Sequence, residues 1–213
     1  MLKLVYLAKR KPEFSFDDFV RRWRRHGALG MQQPLWRHAL GYVQAEPIRP
    51  APLAGASEEF DAIACFMVRD EMFAAFTEED GAGAAVMAAD ELQTFSAPIP
   101  TTSLWVDEER LQGDELGGIA AYLFFEEPAA ARATAQRARS AGGLRRIVLD
   151  LRRDDGPLGP GANTLPYGAI LELSAASVPD LAASVGSEEK GLLDESDLAV
   201  VTREAVLWDR LPR

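Results

Sequence analysis

Along the 213 residues, hydrophobic alternation and helical periodicity recur twice in the same order, and this doubling restricts the folds open to the chain. Residues 2–9 alternate as a strand. Ser15 then opens a helix, with Asp18 three residues on as its capping partner. Phe16, Phe19, Val20, Trp23 and Gly27 follow at helical spacing, with Arg21, Arg22, Arg24 and Arg25 mostly on the opposite side. Residues 38–46 and 60–69 read as strands, 70–93 as a helical region interrupted near Gly81 and Gly83, and 99–107 as a fourth strand. The second half then runs strand (118–126), helix (128–140, with Pro128 at its start), strand (143–153), Gly/Pro loop (154–166), strand (167–174), helix (177–194) and strand (197–209).

The order βαββαβ therefore occurs twice, over residues 1–110 and 117–213, joined by a polar linker near 110–117. It is the ferredoxin-like plan. The similar strand ends SLWV and AVLW add to the impression of duplication. A four-stranded sheet with both helices on one face leaves its other face bare, and two such sheets can cover each other. The expected fold is α+β, two tandem ferredoxin-like repeats closing into an intrachain pseudo-dimeric barrel with a cavity between the sheets. Two such domains lying side by side are the simpler arrangement, but they would expose two apolar faces.

Composition narrows the partners. A net charge of −10 argues against nucleic acid or an anionic membrane surface. No apolar run is long enough to span a bilayer, and the opening MLKLVYLAKRK reads as a strand and not a leader. A single cysteine, Cys65, cannot form an internal disulfide, which fits a reducing, cytoplasmic setting; inside an apolar strand it is expected to be inert. The charge is uneven, however: residues 1–49 carry ten Lys/Arg against four Asp/Glu. This basic segment either docks on acidic parts of the same chain or forms a positive cleft mouth that attracts an anionic substrate.

The segment Ser15–Gln44 holds both histidines and two of the four tryptophans. His26 lies on the apolar stripe of the first helix, three residues after Trp23, where Gly27 and Gly30 suggest the helix ends. It is placed either to move protons or to pack with its nitrogens satisfied by backbone. Strand alternation puts His38, Leu40, Tyr42 and Gln44 on one face, assigned to the open cavity side, and Ala39, Gly41, Val43 and Ala45 on the other, whose small residues suit close packing under the helices. Tyr42 could then donate to a substrate oxygen and Gln44 orient the ligand, or both could be rim residues. Trp23 and Trp36 could wall a planar substrate or be core. Arg37 could bind a carboxylate or stabilise an enolate, and Asp61 could orient a histidine or Tyr42; both could equally be surface groups. Two histidines and one cysteine give no metal spacing, and no GxGxxG, Walker or GxSxG motif is present. The pairs Glu58–Glu59, Glu78–Glu79 and Asp154–Asp155, and the GPLGPG stretch at 156–161, read as loops.

The segments KLVYLAKRKPEFSFDDF, FVRRWRRHGAL, GYVQ and FDAIACF make residues 2–107 resemble the EthD-like family of dimeric α+β barrel proteins. In that family the helical tryptophan and histidine are usually separated by three residues; here Trp23 and His26 are separated by two, which still keeps them on one side of a helix. The second half lacks the Trp/His pair and looks like a degenerate partner completing the barrel. The resemblance implies a cavity-bearing barrel and a small-molecule enzyme without metal or nucleotide cofactor. Its expected chemistry is acid/base: a lyase, dehydratase, cyclase or isomerase acting on an enolisable or aromatic carbonyl compound, with an anionic or aromatic substrate. His26, Tyr42, Asp61 and Arg37 would be catalytic, and Trp23, Trp36, His38 and Gln44 would bind substrate. Cofactor-free oxygenation of a phenol or quinol, a non-catalytic ligand-binding barrel and, more weakly, haem binding through His26 or His38 are the alternatives. Pairing with a second copy is compatible with the sequence.

Overall fold

A computed structural model describes residues 1–153, 164–186 and 191–211. The expected loop features Asp154–Asp155 and GPLGPG fall outside the described residues. Among the described residues, eight strands and four α-helices run in the order β1 (Leu2–Ala8), α1 (Phe16–Gly30), β2 (Ala39–Pro47), β3 (Ala62–Val68), α2 (Glu78–Thr94), β4 (Ser103–Gln112), β5 (Gly118–Phe125), α3 (Pro128–Ala141), β6 (Arg146–Arg152), β7 (Ala169–Ala175), α4 (Val178–Val185) and β8 (Leu198–Asp209). The strands close into one antiparallel barrel, ordered β1-β3-β2-β8-β5-β7-β6-β4. Each half contributes four consecutive strands of the ring, and the halves join at β2–β8 and β4–β6.

Among the described residues the space between the two sheets is filled, save a void of about 10 Å³ beside Lys3 and Cys65. The barrel interior is packed by inward residues of both halves, among them Val5, Leu7, Val43, Ile63, Leu104, Tyr122 and Phe124. At one end the packing gives way to a buried ion network. Lys3 Nζ sits 2.9 Å from Glu108, 2.8 Å from Asp150 and 2.9 Å from Glu172. Arg146 pairs with Glu172 and Glu204, and Tyr122 donates to Glu204 at 2.6 Å. Burial pulls the Lys3 ammonium down, but Asp150, Glu172 and Glu108 together hold it well above the ordinary lysine value. Burial works to raise the Glu108 carboxyl, and Lys3 and then Arg110 overcome it, holding it at about 2. Cys65 lies in this interior, its thiol pushed up by burial.

The helical layers differ between the halves. Ala131, Ala135 and Ala138 let α3 lie close on β5, β6 and β7, where its alanines join Leu123, Leu149 and Leu171 in a dense core. By contrast, α1 and α2 pack mainly on each other, and α2 also on the Pro34–His38 turn. Large aromatic side chains hold them off the sheet: Phe19, Trp23, Trp36, Tyr6, Tyr42 and Phe95 form the cluster between helices and strands. The break expected at Gly81 and Gly83 is absent, and α2 runs unbroken from a Thr77–Asp80 capping box. Gly83 marks a close approach instead: a Cβ there would lie 3.1 Å from both Gln33 Cβ and Pro34 Cδ. Likewise α1 continues through Gly27, where a Cβ would meet Gln44 Nε2 at 2.9 Å and Tyr42 Cε1 at 3.1 Å.

Candidate functional site

Because α1 and α2 stand off the sheet, a cavity of about 390 Å³ opens between them and the outer face of β1–β4. Its wall is mainly apolar and aromatic, with Trp36, Phe66, Phe73 and Trp105 among the rings. The polar groups on it are few: His26, Tyr6, Tyr42, Glu91, Ser103 and the indole N–H groups. A concave, largely apolar site with a few convergent polar groups has the character of a small-molecule pocket.

His26 projects from the buried stripe of α1 and is 5% exposed. Its Nδ1 lies 2.7 Å from Asp90 Oδ2, while Asp90 Oδ1 accepts from Arg22 at 2.5 Å. With Nδ1 committed, Nε2 is the nitrogen left for a ligand. Burial lowers the imidazole pKa and outweighs the raising influence of Asp90, so the ring is neutral near pH 7. Asp90 itself is held below the ordinary carboxylate value: burial would raise it, but Arg22 and His26 prevail.

Two tyrosines form the second polar feature. Tyr6 OH accepts from Trp23 Nε1 at 2.9 Å, Tyr42 OH accepts from Gln44 Nε2 at 2.9 Å, and the two hydroxyls lie 3.3 Å apart. One hydroxyl hydrogen is spent between them, so the pair retains one O–H that can be donated to a ligand. Burial raises both phenols, which therefore stay protonated. Gln44 also donates to Trp23 O and accepts from Arg24, fixing the amide that orients Tyr42. Trp36 Nε1 is a further donor, buried and without a partner among the described residues.

The expected site residues separate into three groups. His26, Tyr42 and Trp36 line the cavity. Trp23 and Gln44 are fully buried behind it and hold the tyrosine pair from beneath. The rest lie elsewhere. Arg37 and His38 face Asp80 at 2.5 and 3.5 Å and tie the Pro34–His38 turn to the start of α2. Asp61 accepts from Arg10 and Arg49 at the far end of β3. The basic segment is thus largely paired within the chain: Arg10, Arg22, Arg24, Arg37 and Arg49 all meet carboxylates.

The face assigned to β2 is also corrected. Tyr42 and Gln44 point to the helices, and Val43 points into the barrel. A register shift between Ala39 and Gly41 interrupts the alternation, so Leu40 packs toward the barrel interior while Tyr42 does not. The small residue that makes room for Tyr42 is Gly27, on the helix and not on the strand. Tyr6, Glu91 and Trp105 join His26, Tyr42 and Trp36 on the cavity wall, and Asp90 stands behind His26. Tyr6 can be read from its alternation with Leu4 and Ala8; nothing local marks Asp90 or Glu91 in an acidic helix.

Haem would need cations for its propionates as well as an imidazole. No Lys or Arg lines the cavity among the described residues, and His38 lies outside it, so the residues do not suit that group. Nor do the described residues bring three His, Cys, Asp or Glu side chains together as metal ligands, and none of their helices is long and apolar enough to cross a membrane.

No protein-family model matches the sequence, and no curated protein matches it significantly. Solved structures do. An anthrone oxidase-like protein superposes with a TM-score of 0.54 at 9% identity, covering 99% of this chain and 94% of its own. A candidate chlorite dismutase gives 0.54 at 10% identity, covering 96% and 94%. A candidate monooxygenase from Fusobacterium nucleatum gives 0.51 at 11% identity, covering 97% and 92%. At these identities the likeness establishes the fold, a closed α+β barrel of the dimeric α+β barrel type, here formed within one chain.

Proposed function

We propose that the protein is a small-molecule enzyme that removes a proton from an enolisable aromatic ketone or phenol held between α1, α2 and the sheet. The observation that carries this is His26, neutral and fixed by Asp90 on the wall of an apolar cavity. In this reading Nε2 takes the proton, and the charge moves to the substrate oxygen. The tyrosine pair's remaining O–H and the unpartnered Trp36 N–H stabilise that oxyanion. Reprotonation at another carbon gives isomerisation, and loss of a leaving group gives elimination. Addition of dioxygen to the carbanion gives oxygenation, the outcome favoured by the anthrone oxidase-like and monooxygenase neighbours.

The reading of residues 1–110 and 117–213 as tandem repeats, only the first equipped for chemistry, is part of this proposal. Its support is that both halves contribute strands in the same order and that the alanine-packed α3 closes the space that α1 leaves open. Membership of the EthD-like family rests on the FVRRWRRHGAL segment and its neighbours alone.

Anthrone, an enolisable aromatic ketone, is a suitable first probe. Deuterium uptake at its acidic carbon in heavy water, followed by NMR, reads proton abstraction, and an oxygen electrode reads its fate. Wild-type protein should accelerate exchange and His26→Ala should not. Equal exchange by both proteins would remove His26 from the role of base.

A further inference from the structure

The cavity wall has an asymmetry of charge that the proton-transfer reading does not use. Among the described residues no lysine or arginine lines it, while one carboxylate, Glu91, does. Glu91 is fixed on the inner side of α2, one residue after Asp90. The two carboxylates differ in their surroundings. Asp90 is neutralised by Arg22 and His26. Among the described residues Glu91 receives only a long backbone N–H bond, from Ile99 at 3.3 Å, and is close enough to Tyr6 to disfavour its ionisation. Burial pushes the Glu91 carboxyl up, which is the signature of a charge with too little compensation. The other walls are apolar, and aromatic rings are prominent on them, among them Tyr6, Trp36, Tyr42, Phe66, Phe73 and Trp105. Ring faces attract cations through their quadrupoles, and a nearby carboxylate strengthens the preference. Over the whole chain, a net charge of −10 further favours the approach of a cation.

We propose that the ligand of this cavity carries a protonated amine, which sits against Glu91 among the aromatic rings. The inference rests on the cavity being the ligand site and adds the substrate class: an apolar aromatic amine, not a carboxylic acid. A carboxylate would meet Glu91 with no cation to receive it, whereas an ammonium supplies the charge that Glu91 lacks. In the chemistry above, such an amine anchors the substrate while His26 works on an acidic hydrogen elsewhere in it.

Three probes that share one ring system and differ in charge test this by titration calorimetry: 1-naphthylmethylamine, 1-naphthalenemethanol and 1-naphthoate. The full-length wild-type protein should bind the amine about tenfold or more tightly than the alcohol, and the carboxylate least. Glu91→Gln keeps an acceptor for the Ile99 N–H and removes the charge. It should erase the advantage of the amine and leave the alcohol unchanged. Equal or tighter binding of the alcohol or the carboxylate by wild-type protein would overturn the proposal, whatever the variant does. An amine preference that survives in a folded Glu91→Gln protein would overturn it as well. Binding of none of the three would instead overturn the reading of the cavity as a ligand site.

Discussion

His26 Nδ1 and Asp90 Oδ2 lie 2.7 Å apart although 64 residues separate them in the chain. The contact joins α1 to α2 beside the cavity that His26 lines and leaves Asp90 Oδ1 to Arg22. One carboxylate thus orients the imidazole and fastens the second helix to the first.

That double duty predicts separable effects. Removing the base in His26→Ala should lower the rate on the order of 10²–10⁴-fold. Asp90→Asn keeps the shape but loosens the ring, and misplacement of this kind costs about 10²-fold. Circular dichroism should show both variants folded. Full activity in Asp90→Asn would mean that packing alone sets the ring orientation.

The acid limb of the rate profile should fall below the ordinary imidazole value of 6.5, because burial disfavours the charged ring. In Asp90→Asn the raising influence of the carboxylate is lost, and the limb should move further toward acid. The stability effect has a definite sign. The folded pKa lies below the unfolded one, so between the two values the unfolded chain binds a proton that the folded chain does not. His26 therefore costs no stability above about 6.5 and destabilises progressively as pH falls. Denaturant titrations of wild type and His26→Phe at several pH values would show whether the difference closes as pH rises.

Trp36→Phe separates binding from folding. The indole N–H has no partner among the described residues, so its loss removes no hydrogen bond to them. Stability should fall by only about 1–2 kcal/mol, from the ring atoms lost to the aromatic cluster. Loss of one hydrogen bond to the substrate oxygen should weaken binding or rate by about tenfold. A variant that lost stability and kept full activity would place the indole in the core and not in the site.

Gly27→Ala brings a methyl group against Gln44 Nε2 and Tyr42 Cε1. Gln44 is held by Trp23 O, Tyr42 and Arg24, so it cannot simply swing away. The expected cost is about 1–3 kcal/mol of stability, measured by urea denaturation, together with lower activity from a displaced Tyr42. An unchanged midpoint would show that α1 can lift from β2 freely.

Lys3→Met leaves Glu108, Asp150 and Glu172 without their shared cation. Breaking a buried ion network from one side destabilises by about 3–5 kcal/mol. Activity at a temperature where the variant remains folded should be close to wild type, since Lys3 faces the barrel and not the cavity.

What could be read from the sequence depended on local patterns. Helix α1 was legible because Ser15 caps it and Phe19, Trp23 and His26 recur on one face, and the structure buries those residues. Strands β5 and β8 were legible because their apolar runs are long. In β4 the reading began four residues early, since residues 99–102 form a turn of 3₁₀-helix before Ser103. The helical spacing from residue 70 onward does not become helix until Glu78. The face of β2 was misread because a bulge near Leu40 leaves no mark in an alternating sequence.

By itself, then, the sequence determined the order of elements, the α+β class and the concentration of proton-transfer and aromatic groups in one segment, since each follows from periodicity and residue type. The tertiary structure decided where the cavity lies, which way Tyr42 points and which acid meets His26. Those outcomes depend on contacts between distant segments: aromatic side chains propping α1 and α2 off the sheet, Gly27 admitting Tyr42, and α2 bringing Asp90 to His26 and Glu91 to the cavity wall. No local pattern encodes such meetings, because the energy that selects them arises only when the two surfaces pack.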